Sequence, residues 1–182
     1  MKDILTQLEG LILVRPDPIR DAPFALSWFE SSHGKETLLL MGNTENAIGV
    51  PTLSGETATL KEFIQLEKEH RQLTWMIRYN NKTIGAVWLE LEDTKYVKSP
   101  AFHIMIGDKS YRGQGIGSAV IQEMIRYAQD TLKAKTLYSR HLTSNQAIAH
   151  LVASFGFAND GPAYIDDDGL EFQNIILTLQ QD

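Results

Sequence analysis

The stretch that decides the fold is Ile106-Gly107-Asp108-Lys109-Ser110-Tyr111-Arg112-Gly113-Gln114-Gly115-Ile116-Gly117-Ser118. Before it, Ala101 to Ile106 is a short run behind Pro100 that reads as a strand. After it, Ile116, Val120, Met124, Tyr127 and Ala128 recur at helical spacing, with Ile121, Ile125 and Leu132 widening the apolar stripe. The predicted arrangement is strand, glycine loop, long helix. Gly113, Gly115 and Gly117 take side chains out of the way of a ligand. The free N–H groups of the first helical turn, reinforced by the helix dipole, then point at any arriving anion. Phosphate is the guest this arrangement favours; a tight connection without a ligand is the plainer alternative.

Spacing narrows the choice of phosphate compound. The loop is not G-x-x-x-x-G-K followed by Ser or Thr, so it lacks the lysine and the magnesium-holding hydroxyl of a nucleoside triphosphatase. Nor is it G-x-G-x-x-G, and the next strand, Thr136 to His141, carries no acid to hold a ribose hydroxyl.

Working outward, Leu11 to Arg15 alternates as a strand, and Asp21-Ala22-Pro23 offers an N-cap with proline just inside a helix ending near Glu30. Ser31 to Gly55 has weak periodicity and reads as irregular. Glu56 to Arg71 is an amphipathic helix through Leu60, Phe63 and Ile64. Leu73, Trp75, Ile77 and Tyr79 alternate, Asn80-Asn81 tolerates positive φ, and Ile84, Ala86 and Trp88 alternate again, which predicts a hairpin. Downstream of Thr136 to His141, Thr143 and Gln146 have capping-box spacing ahead of a helix with inner face Ala147, Ile148, Leu151, Val152 and Phe155, closed by Gly156. Ala158 to Ile165 and Leu170 to Leu179 are two final strands around Asp166-Asp167-Asp168-Gly169. Those acids lack the spacing and terminal glutamate of a calcium loop and read as a solvated turn.

The 182 residues carry 17 Lys+Arg against 23 Asp+Glu, a formal net charge of -6, and no cysteine. One domain spanning 1–182 suits that length. Disulfides, thiolate zinc sites, iron–sulfur clusters and a cysteine nucleophile are excluded. His33, His70 and His150 show no metal-ligand spacing, so no metal is expected. Net acidity argues against nucleic acid, and no apolar run is long enough for a membrane helix or signal peptide, so no membrane partner and a cytoplasmic location are expected.

The residues also resemble a family. Arg112, Gly115 and Gly117 look like the coenzyme A pyrophosphate loop of the GNAT superfamily of acyl-CoA N-acyltransferases (Arg or Gln, two residues, Gly, one residue, Gly or Ala). Asn145, Leu151 and Gly156-Phe157 are similar to its second motif. Ile106-Gly107-Asp108 and the non-tyrosine Val152 are most like the branch that includes ribosomal-protein N-terminal acetyltransferases. The resemblance implies an α/β (α+β) fold with a mixed, mostly antiparallel sheet of six to seven strands, helices on both faces and a central splay. It implies acetyl-CoA as cosubstrate, with the pantetheine arm along Ile104, Met105 and Ile106, the pyrophosphate on the N–H groups from Arg112 through Gly113, Gln114, Gly115, Ile116 and Gly117 to Ser118, and a contact from Asn145. Asn145 read from its own chemistry is a helix cap.

The activity implied is direct acetyl transfer to a primary amine, either a peptide or protein N-terminus or a small amine, by a monomer or homodimer. A base must deprotonate the ammonium, and a backbone N–H such as that of Ile106 can hold the oxyanion. Many relatives have a tyrosine acid where this chain has Val152, and an acid base where it has Ala101. That departure opens the alternative of a non-catalytic acyl-CoA-binding domain. His103, two residues after Ala101 and so on its face, is the first candidate base, and His141 the second. Glu90 and Glu92 are candidates to line an acceptor groove, the weakly patterned segments Ser31 to Gly55 and Glu92 to Ser99 are expected to roof it, Ser154 is a remote acid, and Trp28, Trp75 and Trp88 are core or groove walls.

Overall fold

The computed structural model describes residues 2–180. Its frame is one nine-stranded sheet in the order β1-β2-β3-β4-β5-β6-β9-β7, with β8 also paired to β9. The strands are β1 (Ile4–Leu5), β2 (Leu11–Val14), β3 (Gln72–Tyr79), β4 (Lys82–Glu90), β5 (Ala101–Ile106), β6 (Thr136–Leu142), β7 (Ala158–Asn159), β8 (Tyr164–Ile165) and β9 (Glu171–Thr178). Three of them, β1, β7 and β8, are two residues long. They raise the count above the expected six to seven, and a two-residue strand is too short to show alternation. The expected strand from Ala158 to Ile165 is accordingly two pieces, both paired to β9.

The helices are α1 (Pro18–Glu30), α2 (Gly34–Leu40), α3 (Leu53–Lys68), α4 (Ile116–Arg126) and α5 (Gln146–Ala153). A wider π-type turn, Tyr127–Thr131, continues α4. Trp28, Ala22, Ala25 and Leu60 from α1 and α3 pack with Val14, Met76 and Ala86. The larger core sets Ile116, Val120, Ile121, Met124 and Val152 from α4 and α5 against Leu13, Trp75, Val87, Leu89, Phe102 and Leu137. Burial at roughly 1.5–3 kcal/mol per large apolar side chain makes this helical stripe a main anchor of the loop before it.

Several boundaries differ from expectation. Asp17-Pro18 carries the same cap-then-proline signature four residues before Asp21-Ala22-Pro23, and the earlier pair wins: Asp17 accepts from the N–H groups of Ile19 and Arg20. Asp21 instead lies inside α1, fully buried, with Pro23 beyond it. The segment read as irregular contains α2 and a short turn of 3-10 helix at Glu45–Ala47, and α3 begins at Leu53 with Thr52 as cap. Helix α2 is too short for its period to stand out. Asn145, not Thr143, caps α5 by accepting from Ile148 N–H. The hairpin is as read: Asn80 and Asn81 hold φ of 48° and 67° between β3 and β4.

The feature that positions everything else is the junction of β5 with β6, the parallel pair in this sheet. Its register is one pair, Ala101 with Tyr138. The Tyr138 N–H bonds the Pro100 carbonyl, Ser139 bonds the Phe102 carbonyl, and beyond these the strands part. His103 to Ile106 therefore run along an opening in the sheet.

Candidate active site

Two adjoining cavities occupy that opening. The larger, about 490 Å³, is walled by Thr37, Leu40 and Met41 from α2 and its end, Ile104, Met105 and Ile106 of β5, Arg112, Gly113, Gly115, Gly117 and Ser118 of the loop and first helical turn, and Asn145, Ile148 and Leu151 at α5. The smaller, about 240 Å³, is walled by Trp88, Glu90, Phe102, His103, Ser139, Arg140, His141, Leu142 and Phe172. Leu40, Met41, Ile104, Asn145 and Ile148 belong to both. Asn145 stands at the shared rim and caps α5 as well, so the two uses foreseen for it are compatible.

The glycine loop has the local geometry an anion needs. Gly113 and Gly115 sit at φ of 75° and 78°, and a Cβ on either would meet nothing within 4 Å. Gly115 is the N-cap of α4 and no side chain caps that end. The N–H groups of the first turn are thus left to an outside acceptor. Gln114 and Ile116 do not wall the cavity with their side chains: Gln114 Nε2 donates to the Ser110 carbonyl at 2.7 Å, and Ile116 is in the core. Arg112 is spoken for too. Its Nε and Nη2 donate to the Ile106 carbonyl at 3.0 and 2.8 Å, and Nη2 also donates to Thr37 Oγ1 at 2.8 Å. The guanidinium ties α2 to the end of β5 across the mouth of the larger cavity.

In the smaller cavity strand parity sorts the candidates. Ala101 pairs with Glu90 and Tyr138, so Trp88, Glu90, His103 and Arg140 share one face, while His141 belongs to the other and reaches the cavity only because the sheet is open there. His103 stacks on Trp88, with ring centroids 5.3 Å apart, and Trp88 stacks on Phe63 of α3. Its Nε2 is buried 3.4 Å from Glu90 Oε1, at ion-pair distance but without hydrogen-bond alignment. Among the described residues Nδ1 of His103 has no hydrogen-bond partner. Burial pushes the Glu90 carboxyl up, but His103, then Arg140 and Trp88, outweigh it and hold the group below its ordinary value. Glu90 is therefore a carboxylate at neutral pH. His141 Nδ1 lies 2.9 Å from the Leu142 carbonyl, an acceptor, so Nδ1 carries the proton and Nε2 is the basic nitrogen of the neutral ring.

The other expected groups lie elsewhere. Glu92 pairs with Arg71 outside both cavities, and Ser154 donates to the Leu151 carbonyl on an exposed turn. Val152 is buried in the core. Of the tryptophans, Trp28 and Trp75 are core and Trp88 is a wall. Thr37, Leu40, Met41 and Tyr96 lie in the two segments expected to roof the acceptor site, but no local signal singled out these residues or the cage formed by Arg140, Phe172, Tyr96 and Tyr164. These residues come together only through the tertiary fold.

A family model for the acetyltransferase (GNAT) domain matches residues 11–158. The chain belongs to this family. No curated protein matches it in sequence. Among solved structures, the microcin C7 self-immunity acetyltransferase MccE, in complex with acetyl-CoA and AMP, matches with a TM-score of 0.77 at 16% identity over 94% of this chain and 93% of that one. RimL, the ribosomal L7/L12 α-N-protein acetyltransferase in complex with coenzyme A, gives 0.77 at 17% identity, covering 96% and 97%. The ribosomal-protein-S5-alanine acetyltransferase of Vibrio fischeri gives 0.75 at 16%, covering 97% and 98%. Like other GNAT enzymes, the protein is an acetyl-CoA-dependent N-acetyltransferase, with acetyl-CoA as cosubstrate. Among the described residues no helix is long and apolar enough to cross a membrane.

Proposed function

We propose that the larger cavity holds acetyl-CoA and the smaller one a primary amine, a small amine or a peptide N-terminus, and that transfer occurs at their shared rim in a ternary complex. The observation that carries this reading is the shared wall itself: Ile104, Asn145 and Ile148 face both spaces, so a thioester and an amine held on either side come within reach of each other. The uncapped first turn of α4 supports seating a diphosphate on the loop from Arg112 to Ser118, with Arg112 acting through Ile106 and Thr37 and the backbone of Ile104 to Ile106 alongside the pantetheine. The sheet joins both cavities to the strands on either side, which supports one domain over 1–182.

In the proposed mechanism Glu90 keeps the proton of His103 on Nε2, leaving the Nδ1 lone pair to take a proton from the ammonium. The freed nitrogen attacks the thioester carbon; as the N–C bond forms, charge collects on oxygen near the backbone N–H of Ile106. The C–S bond then breaks with its electron pair on sulfur, and the second amine proton ends on that sulfur. One proton is released overall. His141, with Nε2 basic, is the second acceptor for it. A cytoplasmic location, no nucleic-acid or membrane partner, and a monomer or homodimer complete the reading.

Release of free thiol from acetyl-CoA across a panel of amines and peptides tests this. Turnover with at least one acceptor, lost in His103→Asn while acetyl-CoA still binds, supports it. Binding without turnover on every acceptor would favour the non-catalytic alternative.

A further inference from the structure

Arg140 is a cation lining the smaller cavity; Glu90 feels its charge but does not pair with it. Its guanidinium lies 4.3 Å from the centroid of Phe172 and 5.5 Å from that of Tyr96, and Nη1 donates to the Tyr164 hydroxyl at 3.2 Å. Among the described residues no carboxylate lies within ion-pair distance of it. The aromatic rings fix its position without neutralising it. That cage is itself held from outside: Tyr96 stacks on Tyr164, Asn174 donates to the Tyr96 carbonyl at 2.6 Å, and Lys95, from the segment between β4 and β5, pairs with Asp167 in the turn between β8 and β9. On the same face of the sheet stands the Glu90 carboxylate, beside His103.

One small cavity therefore carries a negative end and an unpaired positive end, with apolar walls from Trp88, Phe102, Ile104, Leu142, Ile148 and Phe172 between and around them. At about 240 Å³ it is smaller than the sites of drug-sized ligands, which run to roughly 300–1,000 Å³. We propose that the acceptor is a free α-amino acid with an apolar side chain, its ammonium directed to Glu90 and His103 and its carboxylate received by the forked guanidinium of Arg140. A peptide N-terminus has an amide where this carboxylate stands and would leave Arg140 unpaired in the cavity, which makes it the poorer acceptor. The inference rests on the acceptor reading of this cavity given above.

The test compares free leucine, phenylalanine and methionine with their carboxamides and with short peptides bearing the same N-terminal residues, at saturating acetyl-CoA. The carboxamide amine gives up its proton more readily, so chemistry alone favours it, and a preference for the acid reports recognition. The expected result is a kcat/KM about tenfold or more higher for the acid, as for loss of a charge-assisted hydrogen bond. In Arg140→Met the acid loses its advantage and the ratio falls to one or below, the KM for acetyl-CoA is unchanged, and Arg140→Lys restores part of the preference. Phosphoethanolamine probes a phosphate in the same place. Equal rates for acid and carboxamide in the wild type, a ratio untouched in Arg140→Met, or better turnover of peptides or of phosphoethanolamine would each overturn the assignment while leaving the acetyltransferase reading intact. Absence of turnover on every amine would overturn both.

Discussion

The Ser139 hydroxyl donates a 2.7 Å hydrogen bond to the carbonyl of Phe102, immediately beyond the registered pair of β5 with β6. Both residues are buried. This bond is the last side-chain clasp before the strands part, so it sets where the opening begins. Ser139→Ala leaves the Phe102 carbonyl buried without that donor, an expected loss of roughly 1–3 kcal/mol in unfolding free energy. If the clasp also sets the width of the opening, the KM for acetyl-CoA rises while its kcat changes less. Denaturant unfolding and steady-state kinetics read the two effects separately, and a variant as stable as the wild type would remove the clasp from the account.

Gly115 tests the loop. Its φ of 78° disfavours any side chain, by roughly 1–2 kcal/mol for an L-residue, yet a Cβ there enters open space. Gly115→Val is therefore expected to fold with a modest drop in stability, and to lose coenzyme A binding because the branched side chain occupies the room in front of the uncapped amides. Calorimetric titration with coenzyme A measures this directly. Unchanged affinity would place the diphosphate elsewhere.

What was legible in the sequence was what is local. The glycine loop, the hairpin at Asn80-Asn81 and the stripe of α4 each depend on neighbours in the chain, and the motif pair around Arg112 and Asn145 pointed to the splay. What was illegible depends on distant packing. Helix α2 is seven residues long with two buried positions, too little to impose a period, yet Thr37, Leu40 and Met41 wall the site. The parity that separates His103 from His141 follows from the Ala101 to Tyr138 register, which no single strand contains.

Asp21 shows the same limit and supplies a third prediction. Two local signatures competed for the start of α1, and Asp21 has a tertiary role instead. It accepts from Arg20 Nε at 2.8 Å and Nη2 at 2.7 Å, from Asp17 N–H at 2.8 Å and from Thr83 Oγ1 of β4 at 2.9 Å. Asp21 is wholly buried and its bond from Thr83 is made out of water, while the Arg20 side chain is one-third exposed. Asp21→Ala removes the shared acceptor of three groups, and the expected cost is about 3 kcal/mol or more. Asp21→Asn, which keeps one acceptor oxygen, is expected to lose less. A loss under about 1 kcal/mol in the alanine variant would show the network to be replaceable by water.

The Glu90 carboxyl supplies the pH dependence. Burial raises it, but the pull of His103, followed by Arg140 and Trp88, leaves it net lowered. A carboxylate lowered on folding adds stability at pH values above its unfolded value of about 4.3, and that stability is lost as pH falls through the folded value. Relative to Glu90→Gln, the wild type should thus hold a stability advantage near pH 5 that shrinks as pH falls further. Melting temperatures of the two proteins across that range provide the comparison. A difference that grew as pH fell below about 5 would mean that burial outweighs the cations around Glu90. In that case Glu90 would be protonated more readily than an exposed glutamate, and its role in orienting His103 would have to be given up.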